Sequence, residues 1–129
     1  MDTLPGYARR ESLSRGRLFD VFRAQRADGV HVIVKTPAAS YPDPGTLARL
    51  RHEHDLLASM SAAGIVTALE LKPVGMSLAL VMSDAGPQRL AEVGALPTGQ
   101  FLRVAVQLAR ALATLGEHGV IHRDVNPAN

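Results

Sequence analysis

The stretch Asp28-Gly29-Val30-His31-Val32-Ile33-Val34-Lys35 decides how this 129-residue chain is read. Asp-Gly is a hairpin turn pair, because glycine takes up the positive φ that such turns require. The β-branched run Val30, Val32, Ile33 and Val34 then predicts a strand closed by Lys35. Upstream, Leu13 to Arg26 predicts a strand pair turning at Ser14-Arg15-Gly16-Arg17, with residues 1–12 as a short polar leader. Downstream, Pro37 to Gly45 holds three prolines and a glycine, which is loop chemistry. Thr46 is placed to cap a helix running to about Met60, with Leu47, Leu50, Leu57 and Met60 on one face. Gly64 ends that segment. Ile65 to Leu71 and Met76 to Met82 predict two strands joined at Lys72-Pro73-Val74-Gly75. Ser83 to Pro87 is a polar break, and a short helix is expected over 88–93. Pro97-Thr98-Gly99 opens a long helix to about Leu115, with Phe101, Ala105, Leu108, Leu112 and Leu115 on one face. Gly116 and Gly119 stop it, Val120-Ile121 predicts a short strand, and the last eight residues form a loop. A β-β-β-α-β-β order followed by mostly α is an α+β pattern.

Composition narrows the classes of function. Fourteen Lys and Arg oppose twelve Asp and Glu, giving +2, and the positive charges are scattered. A nucleic-acid surface needs a clustered basic face interleaved with aromatics, and aromatics are only 4% here, so no nucleic-acid partner is expected. Hydrophobic residues at 47% suit a packed core and exceed what a disordered chain carries. Without cysteine there is no disulfide scaffold, thiolate metal site or cysteine nucleophile. Met1 to Arg10 lacks the apolar segment of a signal peptide. The longest apolar run, Leu78 to Met82, is far short of the ~18 residues of a membrane span. The expectation is a cytoplasmic protein with no membrane partner.

Two groups of residues carry chemistry. Glu53 falls inside the arc swept by Leu50, Leu57 and Met60 on a helical wheel. A carboxylate on an apolar stripe is costly to bury unless a cation meets it. Lys35 is one of only two lysines and ends an apolar strand just before the helix, so an ion pair between them is the economical inference. The alternative is that Glu53 reaches solvent and Lys35 is an ordinary strand-end charge. The second group is the terminal loop, where Asp124 and Asn129 stand five apart with Pro127 between them. A carboxylate can accept a hydroxyl proton and an amide oxygen can bind a hard cation, although an Asp/Asn-rich tail is also an ordinary solvated turn. His52-Glu53-His54 is no zinc motif, since positions i and i+2 diverge on a helix.

His122-Arg123-Asp124, with Asn129 five residues after the aspartate, resembles the catalytic loop of the protein kinase family. Val32-Ile33-Val34-Lys35 is similar to that family's third-strand lysine motif, and Glu53, 18 residues on, matches its helix-C glutamate. The similarity runs from about Tyr7 to Asn129. It implies a partial kinase domain over 1–129: an N-lobe at about 7–82 with an antiparallel sheet and helix C, a hinge at 83–87, and the start of a C-lobe at 88–129. The form His-Arg-Asp-x-Asn-Pro-x-Asn also resembles kinase-like domains at the N-terminus of bacterial hybrid ATPase and sensor-kinase proteins.

The resemblance implies ATP and Mg2+ as cofactors and a protein hydroxyl as phosphoryl acceptor. It makes Lys35 the holder of the α- and β-phosphates and Glu53 the residue that fixes Lys35. Asp124 becomes the base and Asn129 the metal ligand. Met82 becomes the gatekeeper, Ser83 and Ala85 the backbone contacts to adenine, and Val21, Val34 and Leu80 candidate apolar walls or plain core. Of the glycine-rich loop, aligned to Ser14 through Val21, only Gly16 survives. Arg15 and Arg17 either compensate by charge or are ordinary exposed loop arginines. Asn126 replaces a lysine near the γ-phosphate. Neither an Asp-Phe-Gly nor an Ala-Pro-Glu motif occurs within these 129 residues. This chain is therefore expected to be inactive by itself, to expose the apolar face of its long helix, and to self-associate or meet a signalling partner there. The second reading is a non-catalytic, pseudokinase-like signalling or interaction fragment.

Overall fold

The computed structural model describes residues 4–123, 125–127 and 129. Its elements are β1 Tyr7–Arg15, β2 Phe19–Arg26, β3 His31–Pro37, α1 Pro44–Ser59, β4 Ala68–Val74, β5 Ser77–Ser83, α2 Leu90–Val93 and α3 Thr98–Glu117. The five strands form one antiparallel sheet in the order β1-β2-β3-β5-β4, so the fold is α+β. The chain divides into two compact units, one of Met1–Ser59 with Val66–Ala85, the other of Met60–Ile65 with Gly86–Asn129.

The β2–β3 hairpin forms where Asp28-Gly29 stands. Gly29 has φ +87°, its amide donates to the Arg26 carbonyl at 2.9 Å, and the Arg26 amide donates to the Val30 carbonyl at 2.9 Å. Asp28 braces the turn by accepting from the Val30 amide and from Arg26. Those bonds, the Arg26 one first, hold its carboxyl below the usual carboxylate range.

Several expectations need correction. The stretch from Tyr7, expected as a leader, is already strand β1, and Ser14 and Arg15 pair with Val21 and Asp20 instead of turning. The β4–β5 turn is Gly75-Met76, so Lys72, Pro73 and Val74 belong to β4. Asp43, not Thr46, caps α1: its carboxylate accepts from the Thr46 amide at 3.0 Å and from the Thr46 hydroxyl at 2.6 Å. Pro44 then occupies the first helical position, where a missing N–H does no harm. Val120-Ile121 forms no strand among the described residues, since two residues without a neighbouring ladder cannot satisfy their backbone groups.

The sheet buries both faces differently. Under α1 lie Leu50, Leu78, Leu80 and Met82, flanked by Phe19, Ile33, Leu47, Leu57, Ala68 and Leu71. On the other face lie Leu4, Phe22, Ala24, Val32, Val34, Ala79 and Val81, with Tyr7 and Val74 packed at the margin. β1 and β4 are opposite edges of the sheet, yet the Tyr7 hydroxyl donates to Glu70 Oε1 at 2.7 Å. The sheet must coil for its edges to meet, and this second core fills the hollow. Lys72 Nζ sits 5.6 Å from the centre of the Tyr7 ring.

Burial, and then the bond to Glu70, push the Tyr7 phenol up to about 12 from 10.0. The protonated form is the one the fold favours. Its contribution is complete below pH 10 and is lost as pH rises through about 12. Tyr7→Phe is expected to destabilise the chain by about 1 kcal/mol at neutral pH and to remove the highest phenolate transition from an alkaline absorbance titration. Loss of a transition at the ordinary phenol position instead would show that the edges do not meet.

In the second unit α3 ends where the His118 amide turns back onto the carbonyls of Thr114 and Leu115, with Gly119 at φ +70°. Its expected apolar stripe exists, but Phe101 is 58%, Leu108 42% and Leu112 37% exposed. No helix among the described residues is long and apolar enough to cross a membrane.

Candidate functional site

Period-2 alternation places Lys35 and Ile33 on the α1 face of the sheet. Cross-strand register then lines up two rows. One runs Ser14, Val21, Lys35, Leu80, Leu71; the next runs Glu11, Arg23, Ile33, Met82, Ala68. The β4–β5 half of these rows lies under α1, while the β1–β3 half carries the polar groups.

Lys35 Nζ meets Glu53 Oε2 at 2.6 Å, with the two side chains 22% and 36% exposed. Of the two readings open in the sequence, the ion pair is the one the structure adopts. Glu53 is three residues past Leu50, so the helix turn that buries Leu50 also turns Glu53 towards β3. The ammonium stands 4.8 Å from the centre of the Phe19 ring, a cation–π contact from the first residue of β2. Lys35 is thus held by a carboxylate and a ring while still meeting solvent.

Val34 does not belong to this face. It is fully buried on the opposite one, among Phe22, Ala24 and Val81, and cannot wall a pocket beside Lys35. Ile33 stands there instead. Leu80 is plain core beneath α1, and Met82 is buried in the same cluster. Val21 remains beside Lys35 and is half-buried.

Gly16 closes the β1–β2 turn. Its amide donates to the Phe19 carbonyl at 2.9 Å, and a Cβ built on it would stand 2.8 Å from that oxygen. A larger residue would force the turn open, which is the physical reason for glycine here. The same bond occupies the Gly16 amide. Arg15 pairs across to Asp20, on the face away from Lys35, so its charge is not aimed at the Lys35 side.

At the far end of the face, Arg23 Nε donates to Asp84 Oδ2 at 2.6 Å and Arg23 Nη1 to Glu11 Oε2 at 2.5 Å. The bond to Asp84 is the main reason the guanidinium is held even more firmly protonated than usual. Ser83, the last residue of β5, donates its amide to the Thr67 carbonyl at 2.9 Å and accepts from the Thr67 amide through its hydroxyl. Ala85 is exposed and ends the first unit.

The terminal loop belongs to the second unit. Arg123 has φ +67°, the one left-handed non-glycine among the described residues, a conformation that costs about 1–2 kcal/mol and clusters at functional sites. The Pro127 carbonyl accepts from the Ala91 amide of α2 at 2.7 Å, and the Asn129 amide donates to the Asn126 carbonyl at 3.2 Å. Asp124 lies outside the described residues.

Ile33, Phe19, Arg23 and Asp84 escaped the sequence reading. Counting two back from Lys35 finds Ile33. Nothing local links Arg23 to Asp84, 61 residues away.

No family model matches the chain. Serine/threonine-protein kinase pkn2 of Myxococcus xanthus is 32% identical over 88 residues, which is 66% of this chain and 11% of that protein. Serine/threonine-protein kinase AfsK of Streptomyces griseus is 27% identical over 123 residues, 91% of this chain and 15% of that protein. The chain therefore spans a small fraction of the curated relatives it matches. These matches support a kinase-like relationship with bacterial serine/threonine kinases, and the five-stranded antiparallel sheet with its helix is compatible with a kinase N-lobe.

Proposed function

We propose that this chain holds Mg-ATP as part of a serine/threonine protein kinase-like domain. The observation that carries the reading is the Lys35–Glu53 pair, set on the sheet face beside Val21 and Ile33. In this reading Lys35 binds the α- and β-phosphates, and Glu53 and the Phe19 ring keep its ammonium in place. Val21 and Ile33 cover the base, while Ser83 and Ala85 present backbone groups to its edge. The Ser83 amide is already engaged by Thr67, so its carbonyl is the group left for that role. Asp124 accepts the proton of the acceptor hydroxyl. Asn129 carries an amide oxygen, a donor that suits Mg2+, and the ion would neutralise phosphate charge. Phosphoryl transfer rests on positioning and charge stabilisation more than on covalent chemistry.

A non-catalytic reading is favoured by one feature, the β1–β2 turn, where the surviving glycine has its amide closed onto Phe19. Calorimetric titration with ATP, adenosine and tripolyphosphate, each with and without Mg2+, separates the two. ATP binding that adenosine competes away and Mg2+ strengthens is expected. No heat from either ATP or adenosine would leave the interaction-module reading standing.

A further inference from the structure

We propose that Arg23 is a positioning residue that ties the Ser83–Ala85 segment to the sheet and thereby sets where a nucleobase edge can bind. The proposal rests on the nucleotide reading above and adds to it a residue outside its phosphate-holding group.

Three observations carry it. The first is geometry. Arg23 shares a row with Ile33 and Met82, so its stem runs along the face that Val21 and Lys35 also occupy, and its head reaches Asp84, two residues past Met82. The second is burial. The Arg23 and Asp84 side chains are 11% and 10% exposed, with Nε to Oδ2 at 2.6 Å. A pair this dry is poorly screened and loses much when one partner goes, unlike an exposed surface pair. The third is charge. Glu11 Oε2 holds the other side of the guanidinium at 2.5 Å, so one cation lies between two carboxylates on strands and segments far apart in sequence. Without Arg23, Glu11 and Asp84 would lose the cation that lies between them, and Asp84 its 2.6 Å tie to β2.

Position makes this a functional matter. Asp84 lies between Ser83, fixed to Thr67 at the sheet edge, and Ala85, the last residue of the first unit. The arginine therefore anchors the stretch of backbone just after β5. A hydrogen bond to a flat, rigid base tolerates little displacement, so loosening Asp84 should weaken base binding while sparing the phosphates, which Lys35 holds a row away.

The test uses Arg23→Met, which keeps the stem, and Arg23→Lys, which restores a charge. Calorimetry with adenosine, ATP and tripolyphosphate is combined with amide hydrogen exchange over 83–86. For Arg23→Met we expect adenosine and ATP to weaken together by about tenfold. Tripolyphosphate binding should stay unchanged and exchange over 83–86 should rise. Arg23→Lys should recover part of both effects. Wild-type adenosine affinity in Arg23→Met, or unchanged exchange, would overturn this proposal alone. A wild-type chain that binds no adenosine overturns the nucleotide reading and this proposal together.

Discussion

Replacing Leu50 by alanine is expected to destabilise the first unit by about 2–5 kcal/mol, measured as a lower urea midpoint with an unchanged slope. Leu50 is fully buried at the centre of the cluster that joins α1 to β4 and β5. Its neighbours in the helix do less: Leu47 and Leu57 are only partly buried. Deleting most of the Leu50 side chain therefore leaves a cavity between α1 and the β4–β5 part of the sheet. A small domain has about 5–15 kcal/mol of total stability, so the loss is a large fraction of the whole. Arg51→Ala is the control. Arg51 is exposed on the same helix, and its removal should move stability by no more than about 0.5 kcal/mol. Equal midpoints for the two variants would mean that α1 is not seated as described. The substitution also has a functional edge, because Glu53 is carried on the turn that Leu50 anchors.

What could be read in the sequence follows the range of the forces involved. The β2–β3 hairpin was legible because a turn pair and an alternating β-branched run are local signals. The Lys35–Glu53 pair was legible because a single carboxylate interrupts an apolar stripe and few lysines exist to meet it. β1 was not, because Tyr7 to Glu11 is an edge strand with most side chains in solvent, and no apolar alternation marks it. Its pairing with β2 supplies the strand, which is a tertiary effect. Val34 was open between apolar wall and plain core, and its burial on the face away from Lys35 makes it core, since one residue along a strand means the opposite face. The cap of α1 was misplaced because Asp43-Pro44 and Thr46 both fit the start of a helix, and only the Asp43 carboxylate closes onto the free amide. Arg23 and Asp84 were beyond reach, as 61 residues and two strands of register separate them.

Lys35→Met is expected to abolish measurable ATP binding, a loss of at least about tenfold, while adenosine binds as in the wild type and the fold survives. The separation of effects comes from magnitudes. An ion pair with side chains 22% and 36% exposed contributes about 0–1 kcal/mol to stability, far less than the Leu50 core. Methionine keeps a flexible apolar stem in the row between Val21 and Leu80, so the sheet loses little packing. Binding is another matter. The ammonium is the group on this face held by both a carboxylate at 2.6 Å and a ring at 4.8 Å, so a phosphate arriving there meets a cation already in place. Without it, Glu53 remains as an unbalanced negative charge beside the incoming phosphates, and repulsion replaces attraction. Glu53→Gln should behave differently: the cation stays, its carboxylate tether goes, and ATP affinity falls by less than in Lys35→Met. Tripolyphosphate should lose affinity in parallel with ATP in both variants, and adenosine in neither. Full ATP affinity in a folded Lys35→Met protein would remove Lys35 from the site and, with it, the observation on which the nucleotide reading stands.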